Sequence, residues 1–415
     1  LKTFNSGVGV DPNEEPCGTL LEAMKLQGYY TGLVVTTRIT DATPAAFSAH
    51  ASYRFYEDLI AQHQIGDYPL GRMVDLMIGG GRSHFYPVKD TKYGNGGARA
   101  DDRNLIDEAK EQGWSYVGNR AEFDKLKLGS QVKLPLLALL ADNDIPFDLD
   151  RDEKEYPSLE EEALTALNAL TLATKDSDKG FFLLIEGSRI DHAGHNNDPA
   201  AQVREVLAFD RAFKSVLEYV DTLDTETIVI STSDHETGGL AAARQNTPNY
   251  PEYLWKPQAL LDAKHSGEFL TKKVANYDGE DIEKFIKKEI LSKDLGITDY
   301  TEEEVDFIIA NKANSHYILN DIVSNRSQTG WSTHGHSAVD VNIYAYSNKR
   351  STMFDLYESL GGNHENTDIG KFMVDFVKAD LDKVTSLVSD TQVKPKGLKV
   401  LQQDIETDGY HSFVN

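Results

Sequence analysis

The stretch GFFLLIEGSRIDHAGHNNDP (180–199) decides how the rest of the chain is read. Its first eight residues are almost continuously apolar, as in a strand covered on both faces. That run ends in Glu186, Asp191, His192 and His195, four groups able to bind metal or move protons. Asp198 and Pro199 then read as the N-cap and first position of a helix, DPAAQVREVLAFDRAFKSVLEYV (198–220). Val203, Val206, Phe213, Val216, Leu217 and Val220 form its core-facing stripe, and Asp210, near that stripe, reads as a hydrogen-bonded structural carboxylate. A strand, a polar cluster and a helix in succession make the unit of an α/β sheet, which binds ligands outside the carboxyl ends of its strands.

The same arrangement recurs. TGLVVTT (31–37), VDLMIGG (74–80), TIVISTS (227–233) and VNIYAYS (341–347) are further strand candidates. The first leads to Asp41 and Thr43 at a helix start, and the third delivers Asp234 and His235. His334 and His336 precede the last. If 191–195 is helical, Asp191 and His195 share one face and can grip one ion. YPSLEEEALTALNAL (156–170) opens with Ser158 and Glu161 as a capping box. Residues 84–155 and 240–330 are rich in Gly, Asn, Asp, Tyr and Pro and read as insertions. The triple glycine at 79–81 lacks the pattern of a phosphate loop and reads as a tight turn. The C-terminal DGYHSFVN (408–415) is expected to be loosely held.

Composition narrows the chemistry. The formal charge of −25, from 42 basic and 67 acidic residues, argues against nucleic-acid or anionic-membrane binding. No segment approaches the roughly 20 apolar residues of a membrane span. Cys17 is the only cysteine, so any metal must be held by imidazole and carboxylate. Imidazole with carboxylate suits zinc, and a carboxylate with a hydroxyl and waters suits magnesium. Ligand sets at several neighbouring strand ends suggest more than one ion, and two ions about 4 Å apart suit in-line displacement at phosphorus. The opening LKTFNSGVGVD (1–11) has no initiator Met and no signal-type segment, and reads as a start part-way through something. Asn325-Arg326-Ser327 is the single glycosylation sequon, a pattern chance often produces.

VVTTRITDATPAAFSAH (34–50), EGSRIDHAGHNNDPA (186–200), STSDHETGG (231–239) and GHSAVDV (335–341) resemble the successive motifs of the alkaline phosphatase family. DRDEKEYPSL (150–159) and GNHENT (362–367) extend the match, which in detail looks closest to the fungal vacuolar alkaline phosphatases. The resemblance implies one three-layer α/β/α domain over 1–415 around a large, mostly parallel sheet, with its N-terminal part missing. It implies hydrolysis of phosphate monoesters through a phosphoserine, with two zinc ions and one magnesium ion. Asp191, His195 and His336 match ligands of the first zinc, and Asp234 and His235 match ligands of the second. Thr43 and Glu186 match magnesium ligands, and Arg54, in ASYRFYED (51–58), matches the arginine that clamps phosphate. Asp41 and His192 match positions behind these that tune magnesium and phosphate binding, although Asp41 also reads as a plain helix cap. His334 rivals His336, but alignment on VDVNIYAY (339–346) favours His336.

The family's D-S-A serine and the aspartate bridging the second zinc and magnesium are expected upstream of Leu1; Ser6, in NSG (5–7), does not match that motif. Residues 1–415 alone are therefore expected to be inactive, to hold one zinc tightly, and to expose unpaired strand edges. Alternatives are an inactive zinc-binding remnant, or a phosphodiesterase, sulfatase or phosphomutase on the same type of fold. A homodimer, a vacuolar lumenal location, a membrane anchor only through upstream residues and glycosylation at Asn325 complete the expectations.

Overall fold

The computed structural model describes residues 3–251 and 253–395; the 408–415 tail lies outside the described residues. Five strands form a parallel sheet: β1 (Tyr30–Arg38), β2 (Leu76–Gly80), β3 (Ser115–Val117), β4 (Leu136–Leu139) and β5 (Phe181–Glu186), in the order β3-β4-β2-β1-β5. Alternation along the strands builds two cores. Leu33, Val35, Met77, Leu137 and Leu139 pack on one face, and Val34, Leu76, Ile78, Leu136 and Ala138 on the other. Both faces are covered, which is why these strands read as continuous apolar runs.

Residues 84–155, expected as an insertion, contain β3 and β4 of this sheet. The three- and four-residue strands sit among turn-forming residues that hid them. Residues 240–330 differ: helices between Gln258 and Ser327 enclose their own core of Leu270, Ile286, Ile290, Val305, Leu319 and Ile322.

The helix Leu159–Ala173 starts at the expected capping box, with Ser158 N donating to Glu161 Oε2 (2.8 Å) and Glu161 N to Ser158 Oγ (3.2 Å). It lies close on the sheet because Gly32 has no side chain: a Cβ there would meet Leu183 Cδ1 at 2.9 Å and Leu170 Cδ1 at 3.1 Å. The helix Pro199–Val220 is capped by Asp198, which accepts from Ala200 N and Ala201 N. The expected stripe is met in part, with Val216 and Val220 buried and Val203, Phe213 and Leu217 half-buried. The buried side chains include Ala208, Ala212, Val216 and Val220, whereas Val206 is 48% exposed and Asp210 lies at the surface. Small residues at i, i+4 spacing let the helix approach its neighbours closely, and apolarity alone could not distinguish the two faces.

Four further strands make two antiparallel pairs: β6 (Ile228–Ser231) with β9 (Tyr344–Ser347), and β7 (Glu236–Thr237) with β8 (His336–Ser337). Among the described residues β5 pairs only with β1, and β6 only with β9, and every residue of β5 and β6 is half-buried. Phe181, Leu183 and Ile185 of β5 nevertheless share a cluster with Val229 and Tyr346, over Ala163, Leu167, Val216 and Val220. The two sheets therefore rest on the same two helices. No helix among the described residues is long and apolar enough to cross a membrane.

A buried ion pair ties the segment after β1 to the N-terminal residues. Glu22, fully buried on the helix Leu20–Leu26, accepts from Thr19 N (2.9 Å), Tyr68 OH (2.7 Å) and His50 Nε2 (2.9 Å). The other His50 ring nitrogen faces Gly9 O at 2.7 Å. Two acceptors on two ring nitrogens require the imidazolium. Burial opposes both charges, but the mutual hydrogen bond and attraction overcome it, lowering the Glu22 pKa and raising that of His50. His63 accepts from His50 N (3.2 Å) and stays neutral, pushed down to about 3 by burial and the His50 charge.

The pair stabilises the fold fully between the ordinary glutamate value of 4.5 and the ordinary histidine value of 6.5. The His50 contribution fades as pH rises through its raised pKa, and the Glu22 contribution fades as pH falls through its lowered one. His50→Ala, which leaves Glu22 buried and unpaired, is expected to cost about 3–5 kcal/mol near pH 6. Thermal melts at pH 5–9 check this, with the gap to wild type narrowing at the alkaline end.

Candidate active site

Parallel strands end on the same side, so the segments leaving β1 and β5 meet at one edge of the sheet. After β1, Asp41 caps the helix Ala42–Ser48 through Ala42 N (2.7 Å), and Thr43 lies in its first turn. β5 ends at Glu186, and the helix Arg189–His195 carries Asp191, His192 and His195. One turn separates Asp191 from His195, and their side chains meet at 3.4 Å (Oδ1 to Nε2). Asp234 and His235 follow β6, and His336 begins β8.

All ten side chains singled out from the sequence line one cavity of about 80 Å³: Asp41, Thr43, Arg54, Glu186, Asp191, His192, His195, Asp234, His235 and His336. Asp191, His235 and His336 each present a ligand atom, all within 4.8 Å of one another. The rings of His235 and His336 stack at 3.4 Å, and that of His195 lies 5.2 Å from His336. The rival His334 lies outside this cavity and lines a neighbouring one. Its carbonyl accepts from His195 Nδ1, fixing which imidazole nitrogen faces Asp191, and its own Nδ1 meets His195 O at 2.8 Å.

The electrostatics divide the cavity. Asp41 is buried, yet Arg38, a His192 hydrogen bond and Arg54 hold its carboxyl well below the usual carboxylate range. Arg54 Nη2 lies 2.5 Å from Asp41 Oδ1, and its backbone N donates to Ser6 O (2.7 Å), which orients the guanidinium. His192 bridges Asp41 (3.7 Å) and Asp144 (3.5 Å). Burial, with the charges of Asp41 and Asp234 added, pushes Glu186 up to about 7 despite hydrogen bonds from Thr43 and Ser188. A buried carboxyl so perturbed at a strand end is only partly ionised at neutral pH, and a cation beside it favours the carboxylate.

Three supporting residues escaped the sequence reading. Ser188 donates to Glu186 Oε2 (2.8 Å) and accepts from Thr36 N (3.2 Å). Thr237 donates to Asp191 Oδ1 (2.5 Å) and meets His235 Nδ1 at 3.1 Å. Asp144 holds Arg38 Nη1 (2.9 Å) and faces His192. Thr237 sits two residues beyond His235, the spacing that puts side chains on one side of extended chain, which is the one local signal for it.

The sequence model for alkaline phosphatase matches residues 1–379. The chain belongs to the alkaline phosphatase family. It is 60% identical to the repressible alkaline phosphatase of Saccharomyces cerevisiae over 408 residues, covering 94% of this chain and 72% of that one. An alkaline phosphatase of Schizosaccharomyces pombe is 46% identical, with 94% and 71% covered. Among solved structures, the cold-active alkaline phosphatase of a Shewanella species superposes with a TM-score of 0.72 at 26% identity, covering 91% of this chain and 82% of that one. That of Thermus thermophilus gives 0.67 at 27%, with 83% and 72% covered. A member of the alkaline phosphatase family is a metal-dependent phosphate monoester hydrolase.

Thr237 touches both Asp191 and His235, so Thr237→Val is expected to weaken metal retention about 10–100-fold without unfolding the protein. Competition against a chelator, with circular dichroism as the control for folding, measures this.

Proposed function

We propose that the cavity holds two zinc ions and one magnesium ion and uses them to hydrolyse phosphate monoesters. Asp191, His195 and His336 would hold the first zinc, Asp234 and His235 part of the second, and Thr43 with Glu186 the magnesium. The donor set fits these ions: imidazole and carboxylate for zinc, hydroxyl and carboxylate oxygen for magnesium. The observation that carries the reading is the convergence of all ten side chains on one cavity. Asp191, His235 and His336, drawn from both zinc sets, already lie within reach of one another. When bound, the ions supply Lewis-acid stabilisation of the charge that develops on the attacking and leaving oxygens.

The chain's own residues orient the substrate. Arg54, held by Asp41, presents a planar fork of N–H donors suited to two phosphate oxygens at once. Asp41 keeps that fork in place and stays ionised because Arg38 and Arg54 flank it. Glu186 releases its proton as a cation arrives, so cation binding at that end of the cavity strengthens as pH rises past about 7. Ser188 lines the cavity, but its hydroxyl is engaged with Glu186 and Thr36. The phosphoryl acceptor in this proposal is a serine outside the 415 residues. Homodimerisation and a vacuolar lumenal location belong to the same proposal and rest on likeness to the fungal enzymes.

Two measurements test it. In the full-length protein, His336→Ala is expected to lower kcat/KM for an aryl phosphate about 100-fold or more, and His334→Ala by less than tenfold. The reverse order would overturn the ligand assignment. The 415-residue chain alone, supplied with zinc and magnesium, is expected to show no chelator-sensitive turnover. Turnover by that chain, abolished by Ser188→Ala with metal content unchanged, would make Ser188 the acceptor instead.

A further inference from the structure

The ribbon that carries His235 and His336 does not stop at the metal cavity. Beyond the Thr237–His336 pair, Gly238 N donates to Gly335 O (2.8 Å) and Ser332 N to Gly238 O (3.0 Å). The two segments stay together as far as a bridge between Ala241 and Gly330. There they floor a second cavity of about 500 Å³, several times the size of the first. His195 and His334, bonded to each other through their carbonyls, stand between the two cavities. Four residues of chain separate the Thr237 and Ala241 pairings, which at about 3.3 Å per residue is at most roughly 13 Å.

The walls of this cavity are specific. Trp331 stands over Gly238, where a Cβ would meet its ring carbons at 2.6 Å, and Gly238 has φ +97°, so no other residue fits there without strain. The indole edge is fixed as well, with Nε1 donating to Ser324 Oγ at 3.0 Å. Tyr317 packs edge-on to His334, 4.9 Å between centroids, and adds a second aromatic wall. Arg244 also lines the cavity, with Nη2 ion-paired to Asp321 Oδ1 at 2.8 Å. That pair brings N–H donors and carboxylate acceptors to the wall without adding net charge. Asn197, two residues past His195, lines the end nearest the metal cavity.

We propose that this second cavity receives the organic half of the phosphate monoester, and that it favours a planar aromatic or heteroaromatic group with a hydrogen-bonding edge, such as a nucleoside. The inference rests on the reading of the first cavity as the phosphate site. The ribbon runs from His336, which lines the first cavity, to Trp331, which lines the second, so the two cavities lie along one element. An immobile indole loses little freedom when a ring stacks on it, and the flanking guanidinium and carboxylate read polar edges. A small alkyl ester such as glycerol phosphate presents no ring to stack on the indole. Discrimination therefore resides in Trp331 and Arg244, and turnover of the phosphate itself does not.

The test compares a nucleoside 5′-monophosphate with glycerol phosphate as substrates of the full-length protein. Trp331→Ala is expected to lower kcat/KM for the nucleotide about tenfold, mainly through KM, and to leave glycerol phosphate within about twofold. Arg244→Gln is expected to act in the same direction, and serves if the tryptophan variant does not fold. A parallel fall for both substrates, or no change for either, overturns the proposal. Wild-type protein that turns over neither substrate would instead refute the reading of the first cavity. Tryptophan fluorescence gives a readout free of turnover: free adenosine should quench wild type and leave Trp331→Phe unaffected.

Discussion

Four carboxylates crowded into one small cavity, one of them buried with no arginine to offset it, govern this structure. Asp41, Glu186, Asp191 and Asp234 line one small cavity in a protein whose net charge is already −25. Two unit charges 4 Å apart interact by about 4 kcal/mol at an effective dielectric constant of 20. Asp41 is offset from within, by Arg38 and Arg54. Glu186 has no such arginine, and burial lifts its pKa to about 7. The parallel sheet creates this crowding by ending β1 and β5 on one side, and the imidazoles of His195, His235 and His336 bring nitrogens of a metal-binding type to the same cavity.

Much of this was legible in the sequence because its signals are local or lie at strand ends. The four-residue spacing of Asp191 and His195, the Asp198 cap and the Ser158–Glu161 box are short-range devices, and each has the expected geometry. Likeness to a known family added Thr43, Arg54 and the choice of His336, which no spacing could supply. What stayed hidden is non-local. Thr237 reaches Asp191 across 46 residues, and Asp144 reaches Arg38 across 106. β3 and β4 were lost among turn residues in 84–155, although the run LPLLALL (134–140) carries the sheet's apolar signature. The long helix was misread at Val206 and Asp210 alone, because Ala and Val are both apolar and only packing tells which side is close to a neighbour.

The ribbon formed by residues 235–241 and 330–337 links recognition to chemistry. Its one end holds His235 and His336, and its other end floors the aromatic cavity. Two neighbouring glycines make this possible: Gly238 leaves room for Trp331, and Gly239 comes within 2.7 Å of Ser332 Cβ at its own ideal Cβ position. A change in this hairpin therefore acts on ligand geometry and on the aromatic wall together.

The site also straddles a seam. Glu186 rides on β5, while Asp234 and His235 follow β6, and no strand among the described residues joins those two sheets. The helices beneath them, the packing of β5 side chains on Val229 and Tyr346, and the Thr237–Asp191 and His195–His334 hydrogen bonds hold the halves in register. An ion held by Asp191, His235 and His336 would act as a rivet across the seam, and a hundredfold excess of free ion over its dissociation constant would add about 2.7 kcal/mol to the folded state. The melting temperature would then become a gauge of ion supply, read at the line where the two banks of the cavity meet.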